Sequence, residues 1–481
     1  MNTMRLLGWN SYNQVSCSPT NAGITAAINS LADRGFVTAG YKYLQIDCGW
    51  ASRDGHRNAT SGALKVDATA FPQGLKPLSD LARSKGMKWA MYSDAGVRMC
   101  DPQVPSPVLG SLGHEAADAD FFKTLNTEYL KSSSGLQGPT QWTKGISTSF
   151  RLSDDIASGW GNVYRIYNQA IHIVKSGIVG PGNIADADLL EVGNTGMTFD
   201  EQATHFASWA MLKSALMIST NVAALSDQAV AVLQNKDLIA INQDSAVKPI
   251  KLVQRWTGNR DLWAGDLANG NIAVLVVDLS NAARTLTVQL ADLGITSATV
   301  KDLWTSKSVT NVNSYSVQVN AHGSLALRLS NIQRSTAAGA KYDYVSVATG
   351  SLSSGANLQS CSGCTSSNKV GNLGGSSNGR VVISNVSTSK AGTQTVLFDY
   401  INGDVGYLGG SNNERLASIS VNGGAAQTVS FPLSGYNWSA DVFKAYAVEL
   451  TGFTAGGANT ISISGVGSAW APDFDRVGVV T

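Results

Sequence analysis

The chain has 481 residues, which at ~100 to 200 residues per domain indicates two to four domains, and its 43% hydrophobic residues are enough for buried cores. Charged residues make up only 14%, and 35 Lys and Arg against 34 Asp and Glu leave a net charge of +1. We therefore expect no nucleic-acid partner, because nucleic-acid binding needs a basic face. We also expect no membrane span, since no run of ~18 apolar residues occurs, and no signal peptide within this chain.

Strands and amphipathic helices alternate through the first half of the chain. The predicted strands are Leu6–Ser11, Tyr43–Asp47, Lys88–Asp94, Ser149–Asp155, Leu189–Val192 and Leu216–Thr220. The predicted helices cover Ile24–Leu31, Leu75–Ala82, Val163–Val174 and Glu201–Ala215. Repeated βα units over residues 1–248 match a (β/α)8 barrel of the TIM type, with a doubly wound sheet as the structural alternative.

The hydrophobic period changes to two in the second half of the chain. Ile272–Asp278, Leu286–Leu290 and Ser324–Leu329 predict an antiparallel β-sandwich domain over residues 249–331. A small-residue linker is predicted at 332–341. Short strands between Gly, Asn and Ser turns then predict a second β-sandwich, of the jelly-roll type, over residues 342–481.

Polar and aromatic side chains stand at the carboxyl ends of the predicted barrel strands, where barrel enzymes place their active sites. These residues are Trp9, Asp47, Tyr92, Asp94, Lys131, Arg151 and Asp155. Carboxylates, fixed cations and an aromatic ring suit a neutral sugar, whose apolar face stacks while its hydroxyls form hydrogen bonds. The structural alternative is that each Asp caps a helix or a turn.

Several segments carry a specific family resemblance. They are Leu7–Tyr12, Gly40–Asp47, Phe71–Gly74, Met91–Gly96, Gly110–Glu115, Tyr129–Lys131 and Arg151–Asp155. In this order they resemble the motifs of glycoside hydrolase family 27, the α-galactosidases, over residues 1 to about 330. The resemblance implies that Trp9 and Asp47 hold galactose and that Tyr92 lines the pocket. It also implies that Lys131 and Arg151 contact hydroxyls, that Asp155 is the general acid/base and that no catalytic cofactor is needed.

The sequence departs from the family after Lys131. The family mechanism is retaining and needs a second carboxylate as nucleophile. In the family that residue follows the Tyr-Leu-Lys motif, but here Ser132, Ser133 and Ser134 follow, and no acidic residue occurs before Asp154. Only 19 residues separate Lys131 from Arg151, fewer than one βα unit of ~30 residues. We therefore predict an incomplete barrel with about six recognisable βα units, lacking about two units and the nucleophile.

Five cysteines leave at least one without an intrachain partner. The resemblance places Cys17 near Cys48 for a disulfide and puts the family partner of Cys100 in the missing block, so Cys100 is expected to be free. A local Cys361–Cys364 disulfide is favoured over a zinc site or a thioredoxin-like motif, because no second Cys/His pair or βαβ context accompanies it.

The last segment resembles a family 35 carbohydrate-binding module. Tyr436, Trp438 and Trp470 are candidates for stacking on sugars, although aromatic residues of a sandwich more often belong to its core. Asp473 and Asp475 are candidate ligands for a structural calcium ion, which such modules often bind. Sequons at Asn58, Asn385 and Asn437 favour a secreted glycoprotein.

Two functions from different classes follow from these observations. The first is a secreted α-galactosidase that releases terminal α-D-galactosyl residues from oligosaccharides or galactomannan but is inactive as written, because the nucleophile segment is missing. The second is a non-catalytic galactoside-binding protein. An α/β oxidoreductase would need a Gly-rich turn directly after a strand, and the sequence has no such fingerprint.

Overall fold

The computed structural model describes residues 6–133, 142–143, 145–336, 339–406 and 410–481. Part of the segment at which the sequence predicts a missing block, and two residues of the predicted linker 332–341, lie outside these ranges. Within the described residues, no helix combines the length and apolar character needed to cross a membrane.

Within the described residues, seven strands and nine helices form the first unit. The strands are β1 (Leu7–Asn10), β2 (Tyr43–Ile46), β3 (Lys88–Asp94), β4 (Thr127–Ser133), β5 (Ser149–Arg151), β6 (Ile184–Asp186) and β7 (Leu216–Ile218). The helices are α1 (Tyr12–Val15), α2 (Asn21–Asp33), α3 (Phe36–Ala39), α4 (Lys76–Ser84), α5 (Glu115–Thr124), α6 (Trp160–Lys175), α7 (Phe199–Met211), α8 (Asp227–Leu233) and α9 (Lys236–Asn242).

The strand order shows a barrel rather than an open sheet. Five strands run in the order β4-β3-β2-β1-β7, so the last barrel strand pairs with the first, as closure requires. Gly8 permits this close packing, since a Cβ there would lie 2.2 Å from the Tyr43 carbonyl oxygen. This pairing of the first strand with the last favours the barrel over the doubly wound alternative.

The barrel is discontinuous between β4 and β5. β5 pairs with β6 in a separate two-stranded ladder, and among the described residues no ladder joins β4 to β5 or β6 to β7. Six strands lead into a following helix, as predicted, whereas only residues 134–148 separate β4 from β5.

One predicted barrel strand is placed differently. The segment Leu189–Val192 forms only an isolated parallel bridge between Leu190 and Ile218, and the strand at this position of the barrel is Ile184–Asp186. The reason is backbone geometry: Asp188 has φ 77°, a left-handed conformation that interrupts an extended strand.

Helix α7 begins directly after its N-terminal capping residue, Thr198. Thr198 accepts a hydrogen bond from the backbone N–H of Glu201, whose side chain accepts in return from the Thr198 N–H. This reciprocal capping begins α7 at Phe199, two residues earlier than the hydrophobic pattern alone predicts.

The second unit is an antiparallel β domain. Its strands are β8 (Lys251–Trp256), β9 (Arg260–Asp266), β10 (Ile272–Asp278), β11 (Arg284–Gln289), β12 (Ile295–Asp302), β13 (Ser308–Val312), β14 (Ser314–Val319) and β15 (Ser324–Arg334). β11 and β14 form a two-stranded sheet whose apolar side chains share a core with the larger sheet. β15 continues three residues into the predicted linker.

The third unit is a β-sandwich that follows residue 341. Its strands are β16 (Tyr342–Ser346), β17 (Ser351–Ser353), β18 (Asn357–Ser360), β19 (Asn368–Gly371), β20 (Arg380–Thr388), β21 (Gly392–Ile401), β22 (Glu414–Val421), β23 (Gln427–Pro432), β24 (Phe443–Phe453), β25 (Gly456–Gly465) and β26 (Asp473–Val480). One layer is the five-stranded sheet β17-β20-β25-β22-β23. The other contains β24-β21-β26-β19-β18 and joins the second unit through the pair Val448–Arg255.

The third unit, which we call the C-terminal sandwich, packs on helix α6 through buried polar contacts. The fully buried Asn413 donates to the Arg165 carbonyl at 3.0 Å and to Gln169 Oε1 at 3.1 Å. Asn168 donates to the Asn412 carbonyl at 2.9 Å. The sequence predicts only a linker between the second and third units, and these contacts fix the C-terminal sandwich against the barrel.

Candidate active site

A buried ion pair lies at the ends of β2 and β4. Lys131 Nζ is 2.8 Å from Asp47 Oδ2, and the Asp47 side chain is 5% exposed. The same oxygen accepts from Asn10 Nδ2 at 2.7 Å, and Oδ1 accepts from the Cys48 N–H at 3.0 Å. Three donors therefore hold the Asp47 carboxylate in one orientation.

The electrostatics of this pair favour its charged form. Burial alone would raise the pKa of Asp47, but the Lys131 ammonium and these hydrogen bonds lower it below its usual value. Burial alone would lower the pKa of Lys131, yet Asp47 raises it above its usual value. Both groups are therefore ionised near neutral pH.

A second charged cluster lies at the end of β5. Arg151 Nη1 is 3.1 Å from Asp155 Oδ1 and 2.6 Å from Asp188 Oδ2. Asp188 also accepts from the Ile156 N–H at 2.7 Å, whereas the Asp155 side chain is 75% exposed. The buried carboxylate of Asp188 thus holds Arg151 in place, and Arg151 in turn pairs with the accessible carboxylate of Asp155.

The neighbouring acid Asp154 is oriented away from Asp155. Its carboxylate forms an ion pair with the buried Arg165, while Arg165 Nη2 donates to the Asp155 carbonyl at 2.9 Å. Both aspartates follow the end of β5, and Asp154 lies in a bend there, so neither belongs to the strand predicted over Ser149–Asp155.

The two predicted aromatic residues, Trp9 and Tyr92, are buried and do not offer an exposed ring on which a ligand could stack. Trp9 is 1% exposed and donates through Nε1 to the Thr220 carbonyl at 3.0 Å. Tyr92 is 3% exposed, and the Lys131 ammonium lies 5.7 Å from its ring centroid. The structure therefore places Tyr92, Lys131 and Asp47 together, with Trp9 buried on β1.

Electrostatics also connect the two charged clusters. The pKa of Tyr12 is raised first by burial, then by the charges of Asp155 and Asp47, and is lowered by Lys131. Tyr12 therefore lies within electrostatic range of both clusters, which face the same end of the barrel.

An open cleft of about 740 Å³ adjoins these clusters. Asp155 lines it, whereas the other five predicted sugar-binding and catalytic residues lie outside its wall. The cleft is lined by Tyr12, Asn13, Gln14, Val15, Asp155, Ile156, Ala157, Ser158, Glu191, Gly193, Asn194, Thr195, Thr220, Asn221 and Ala224. It gives a ligand access to the exposed carboxyl of Asp155.

Glu191 is a titratable group of this cleft that the sequence analysis missed. It is 2% exposed, accepts from Asn13 Nδ2 through Oε1 and from Asn194 Nδ2 at 2.7 Å through Oε2. Burial raises its pKa to about 7. The available signal was a glutamate within the apolar run Leu189–Val192.

Glu191 should make the free energy of unfolding depend on pH. Its pKa in the folded state, about 7, lies above the usual 4.5, so between these values the folded state binds more protons and stability falls as pH rises. At 1.36 kcal/mol per pKa unit the loss is up to about 3 kcal/mol. Melting temperatures of wild type and Glu191→Gln at pH 4.5 and 8 should show a smaller drop in the variant. Equal drops in the two proteins would contradict this assignment.

Four of the five cysteines form two disulfides, and the fifth is a free thiol. The structure contains disulfides at Cys17–Cys48 and Cys361–Cys364, and Cys100 is a free, exposed thiol. Partial desolvation of the thiol, followed by the charges of Asp155 and Asp47, raises the Cys100 pKa. Cys100 therefore carries a thiol with reduced nucleophilicity at neutral pH.

The predicted calcium ligands do not fit a cation. The Lys369 ammonium lies 2.6 Å from Asp473 Oδ2, and Asp475 Oδ2 accepts from the Thr365 N–H at 2.9 Å. Over the described ranges, no group of three His, Cys, Asp or Glu residues is arranged to hold a metal. Lys369 already supplies the positive charge at Asp473.

A barrel that presents an accessible carboxyl beside fixed cations at its strand ends is typical of the barrel enzymes, whose active sites lie at this end. Comparisons with known proteins identify the family to which this barrel belongs. The family described as "Alpha galactosidase A" matches residues 10–148 and 139–244, and the "Alpha galactosidase C-terminal beta sandwich domain" matches residues 257–329. The chain belongs to the α-galactosidase family of glycoside hydrolases, and the resemblance to family 27 over its first 330 residues is confirmed.

Individual relatives agree with this assignment. The chain is 30% identical over 355 residues to the alpha-galactosidase of Cyamopsis tetragonoloba, with 66% of this chain and 84% of that protein covered. It is 32% identical over 377 residues to probable alpha-galactosidase D of Aspergillus niger, with 68% of this chain covered, and spans 56% of that protein's length. The crystal structure of alpha-galactosidase I from Mortierella vinacea matches with a TM-score of 0.64 and 27% identity, covering 69% of this chain and 98% of that one.

Proposed function

We propose that the barrel recognises a terminal α-D-galactosyl residue of an oligosaccharide or of galactomannan at the ends of β2, β4 and β5. The observation that carries this proposal is that Lys131 pairs with Asp47 and lies within electrostatic range of Arg151, which pairs with Asp155, in a chain of the α-galactosidase family. The proposed function involves neither nucleic acid nor a membrane, and the proposed reaction needs no cofactor.

In this proposal, Asp47, Lys131 and Arg151 recognise the sugar, and Asp155 transfers the proton. Asp47 accepts from sugar hydroxyls and Lys131 donates to them, and the ion pair between them keeps both charged. Arg151 contacts a hydroxyl and holds Asp155 in place. Asp155 is the general acid/base, since its exposed carboxyl reaches the cleft.

The chain as written lacks the nucleophile of a retaining mechanism. Retention requires two carboxyl groups ≈ 5 to 5.5 Å apart, and β4 ends in Ser132 and Ser133 where the family has an acidic residue. Asp154 is paired with Arg165 and does not replace it. We therefore propose an inactive hydrolase, for which galactoside binding without cleavage is the alternative function.

Three observations support a missing block between β4 and β5. The family match divides into two pieces, which overlap at residues 139–148 of this chain. The two strands share no ladder within the described residues, and too few residues separate them for a βα unit. An internal deletion accounts for all three, and also for the unpaired Cys100.

We also propose that the C-terminal sandwich is a carbohydrate-binding module related to family 35 and that the protein is extracellular. The two disulfides support this location. All three sequon asparagines, Asn58, Asn385 and Asn437, are exposed, so each is accessible to glycosylation.

Calorimetric titration with methyl α-D-galactopyranoside tests recognition. We expect saturable binding, stronger than for methyl α-D-glucopyranoside, and a weakening of at least about tenfold in Asp47→Asn, because loss of a charge-assisted hydrogen bond costs about 1.5 to 3 kcal/mol. Asp80→Asn, which changes an exposed carboxylate on α4, is the matched control and should bind as wild type. Equal affinity of Asp47→Asn and wild type would refute the proposal.

A further inference from the structure

Asp155 lines the open cleft of about 740 Å³, whereas Asp47 and Lys131 lie outside its wall. Tyr12 adjoins both regions, because it lines the cleft and lies within electrostatic range of Asp47 and Lys131. The cleft is therefore a space of its own that meets the proposed galactosyl site at Tyr12 and Asp155. We call it the Asp155 cleft.

The chemistry of a general acid indicates what this cleft holds. A general acid gives its proton to the oxygen that joins a sugar to its leaving group, so the leaving group lies against the acid. In the proposed function the galactosyl ring contacts Asp47, Lys131 and Arg151, which leaves the Asp155 cleft for the leaving group. The volume of the cleft is within the range of about 300 to 1,000 Å³ typical of small-molecule sites.

Glu191 orients two asparagines in the wall of this cleft. Its carboxylate accepts from Asn13 Nδ2 through Oε1 and from Asn194 Nδ2 at 2.7 Å through Oε2. Ser219 holds the same two residues, since its Oγ accepts from the Asn13 N–H at 2.9 Å and its carbonyl accepts from Asn194 Nδ2 at 3.1 Å. Asn13 and Asn194 are thus fixed before a ligand binds.

The side-chain oxygens of these asparagines remain available to a ligand. A carboxylate only accepts hydrogen bonds, so Glu191 takes the NH₂ group of each amide and leaves each Oδ1 for another donor. Among the described residues, Oδ1 of Asn13 and of Asn194 has no donor, and neither oxygen is buried. Asn221 and Thr195, which are exposed in the same wall, add further polar groups.

The charge of the wall disfavours an anionic ligand. Asp155 and Glu191 are its charged residues, and no Lys or Arg of the described ranges lines the cleft. Val15, Ile156 and Ala224 supply apolar surface beside the asparagine oxygens. A neutral sugar, which has apolar ring faces and donating hydroxyls, suits this wall.

We propose that the Asp155 cleft binds the second sugar of a neutral α-galactoside, which is the leaving group of the proposed reaction, and that Glu191 is a positioning residue for this sugar. The proposal rests on the proposed recognition of galactose by Asp47, Lys131 and Arg151, because it concerns the remainder of the same ligand. Glu191 acts through its two asparagine partners, whose oxygens accept from the hydroxyls of the second sugar.

Calorimetric titration of the full chain at pH 8 tests the proposal, because Glu191, with a pKa of about 7, is then largely charged. The ligands are methyl α-D-galactopyranoside and the sulfur-linked disaccharide α-D-galactopyranosyl-(1→6)-D-glucose, which resists cleavage. The disaccharide should bind at least about tenfold more tightly, since hydrogen bonds to Asn13 and Asn194 add to recognition.

Two substitutions should reduce this preference for the disaccharide to less than about threefold. Ala224→Trp fills the cleft, and Glu191→Gln replaces one accepting oxygen by a donor, so that one of the two asparagines loses its acceptor. Ala223→Trp, the same replacement at the neighbouring exposed residue outside the cleft wall, is the matched control and should keep the preference.

The outcomes separate this proposal from the recognition of galactose. If methyl α-D-galactopyranoside does not bind, galactose recognition is contradicted, and the proposal loses its premise. Equal affinity for the two ligands, or a preference that Ala224→Trp leaves unaltered, would overturn the second-sugar site alone. A preference that Glu191→Gln leaves unaltered would overturn the positioning role. If Glu191→Gln does not fold, as judged by its melting curve, Asn194→Ala takes its place, since it removes one accepting oxygen.

Discussion

The chain as written should hydrolyse p-nitrophenyl α-D-galactopyranoside at background level, at least about 10²-fold more slowly than the same chain with its β4–β5 segment restored. General acid catalysis by Asp155 alone contributes only ~10² to 10⁴, whereas whole enzymes reach ~10⁶ or more. Without an opposed carboxylate, the oxocarbenium-like transition state lacks both its nucleophile and the nearest negative charge. The measurement is the initial rate under identical conditions for the two proteins.

The restored protein carries the corresponding segment of the Cyamopsis tetragonoloba relative between Lys131 and Ser149. Asp155→Asn in that protein should lower the rate by ~10² to 10⁴, while Asp80→Asn serves as the exposed control. Robust turnover by the unrestored chain would contradict the proposed inactivity. Asp47→Asn and Asp94→Asn would then identify the carboxyl that replaces the nucleophile.

Strands that are buried on both faces were predictable because their apolar runs have clear limits. Lys88–Asp94 and Ile272–Asp278 have the predicted bounds. The apolar run Leu189–Val192 was misassigned because periodicity does not reveal the left-handed conformation of Asp188. Strand existence follows from local composition, whereas strand position here depends on one backbone dihedral angle and on pairing with Ile218.

The candidate site was predictable only in its residue types and motif order. Asp47, Lys131, Arg151 and Asp155 lie at strand ends, as the resemblance implies. The burial of Trp9 and the raised pKa of Glu191 were not predictable, because both depend on packing between loops distant in sequence. Glu191 in particular takes its hydrogen bond from Asn13, 178 residues away.

The contact between units was the least predictable feature. Asn168, Gln169 and Asn413 are polar and, judged by sequence, belong on a surface. They are nevertheless buried, because each meets a hydrogen-bonding partner across the interface between α6 and the C-terminal sandwich. No local pattern encodes a partner 244 residues away.

Arg255 joins all three units and should be the most sensitive position for stability outside the active site. It is 3% exposed and forms two hydrogen bonds of 2.7 Å with the fully buried Asp261. Its guanidinium also donates to Asn168 of the barrel and to Ser430 of the C-terminal sandwich, both at 2.9 Å. Burial would lower the Arg255 pKa, but Asp261 raises it well above its usual value, so the guanidinium stays charged.

Arg255→Met should lower the free energy of unfolding by about 3 to 5 kcal/mol, because it leaves the Asp261 carboxylate buried without its cation. Adding Asp261→Leu should restore at least half of this loss, since removing both partners removes the uncompensated charge. Lys76→Met, which breaks the exposed pair with Asp80 on α4, is the matched control and should cost less than about 1 kcal/mol. Denaturant unfolding of the four proteins measures these differences.

The double substitution separates an electrostatic effect from a packing effect. If Arg255 acts by compensating Asp261, the double variant is more stable than the single one, because a buried apolar pair replaces an isolated charge. If Arg255 acts mainly by bridging to Asn168 and Ser430, the double variant stays as unstable as the single one, and the C-terminal sandwich becomes more accessible to protease in both. That outcome would contradict the charge-compensation account and would assign the stability to the interface on α6.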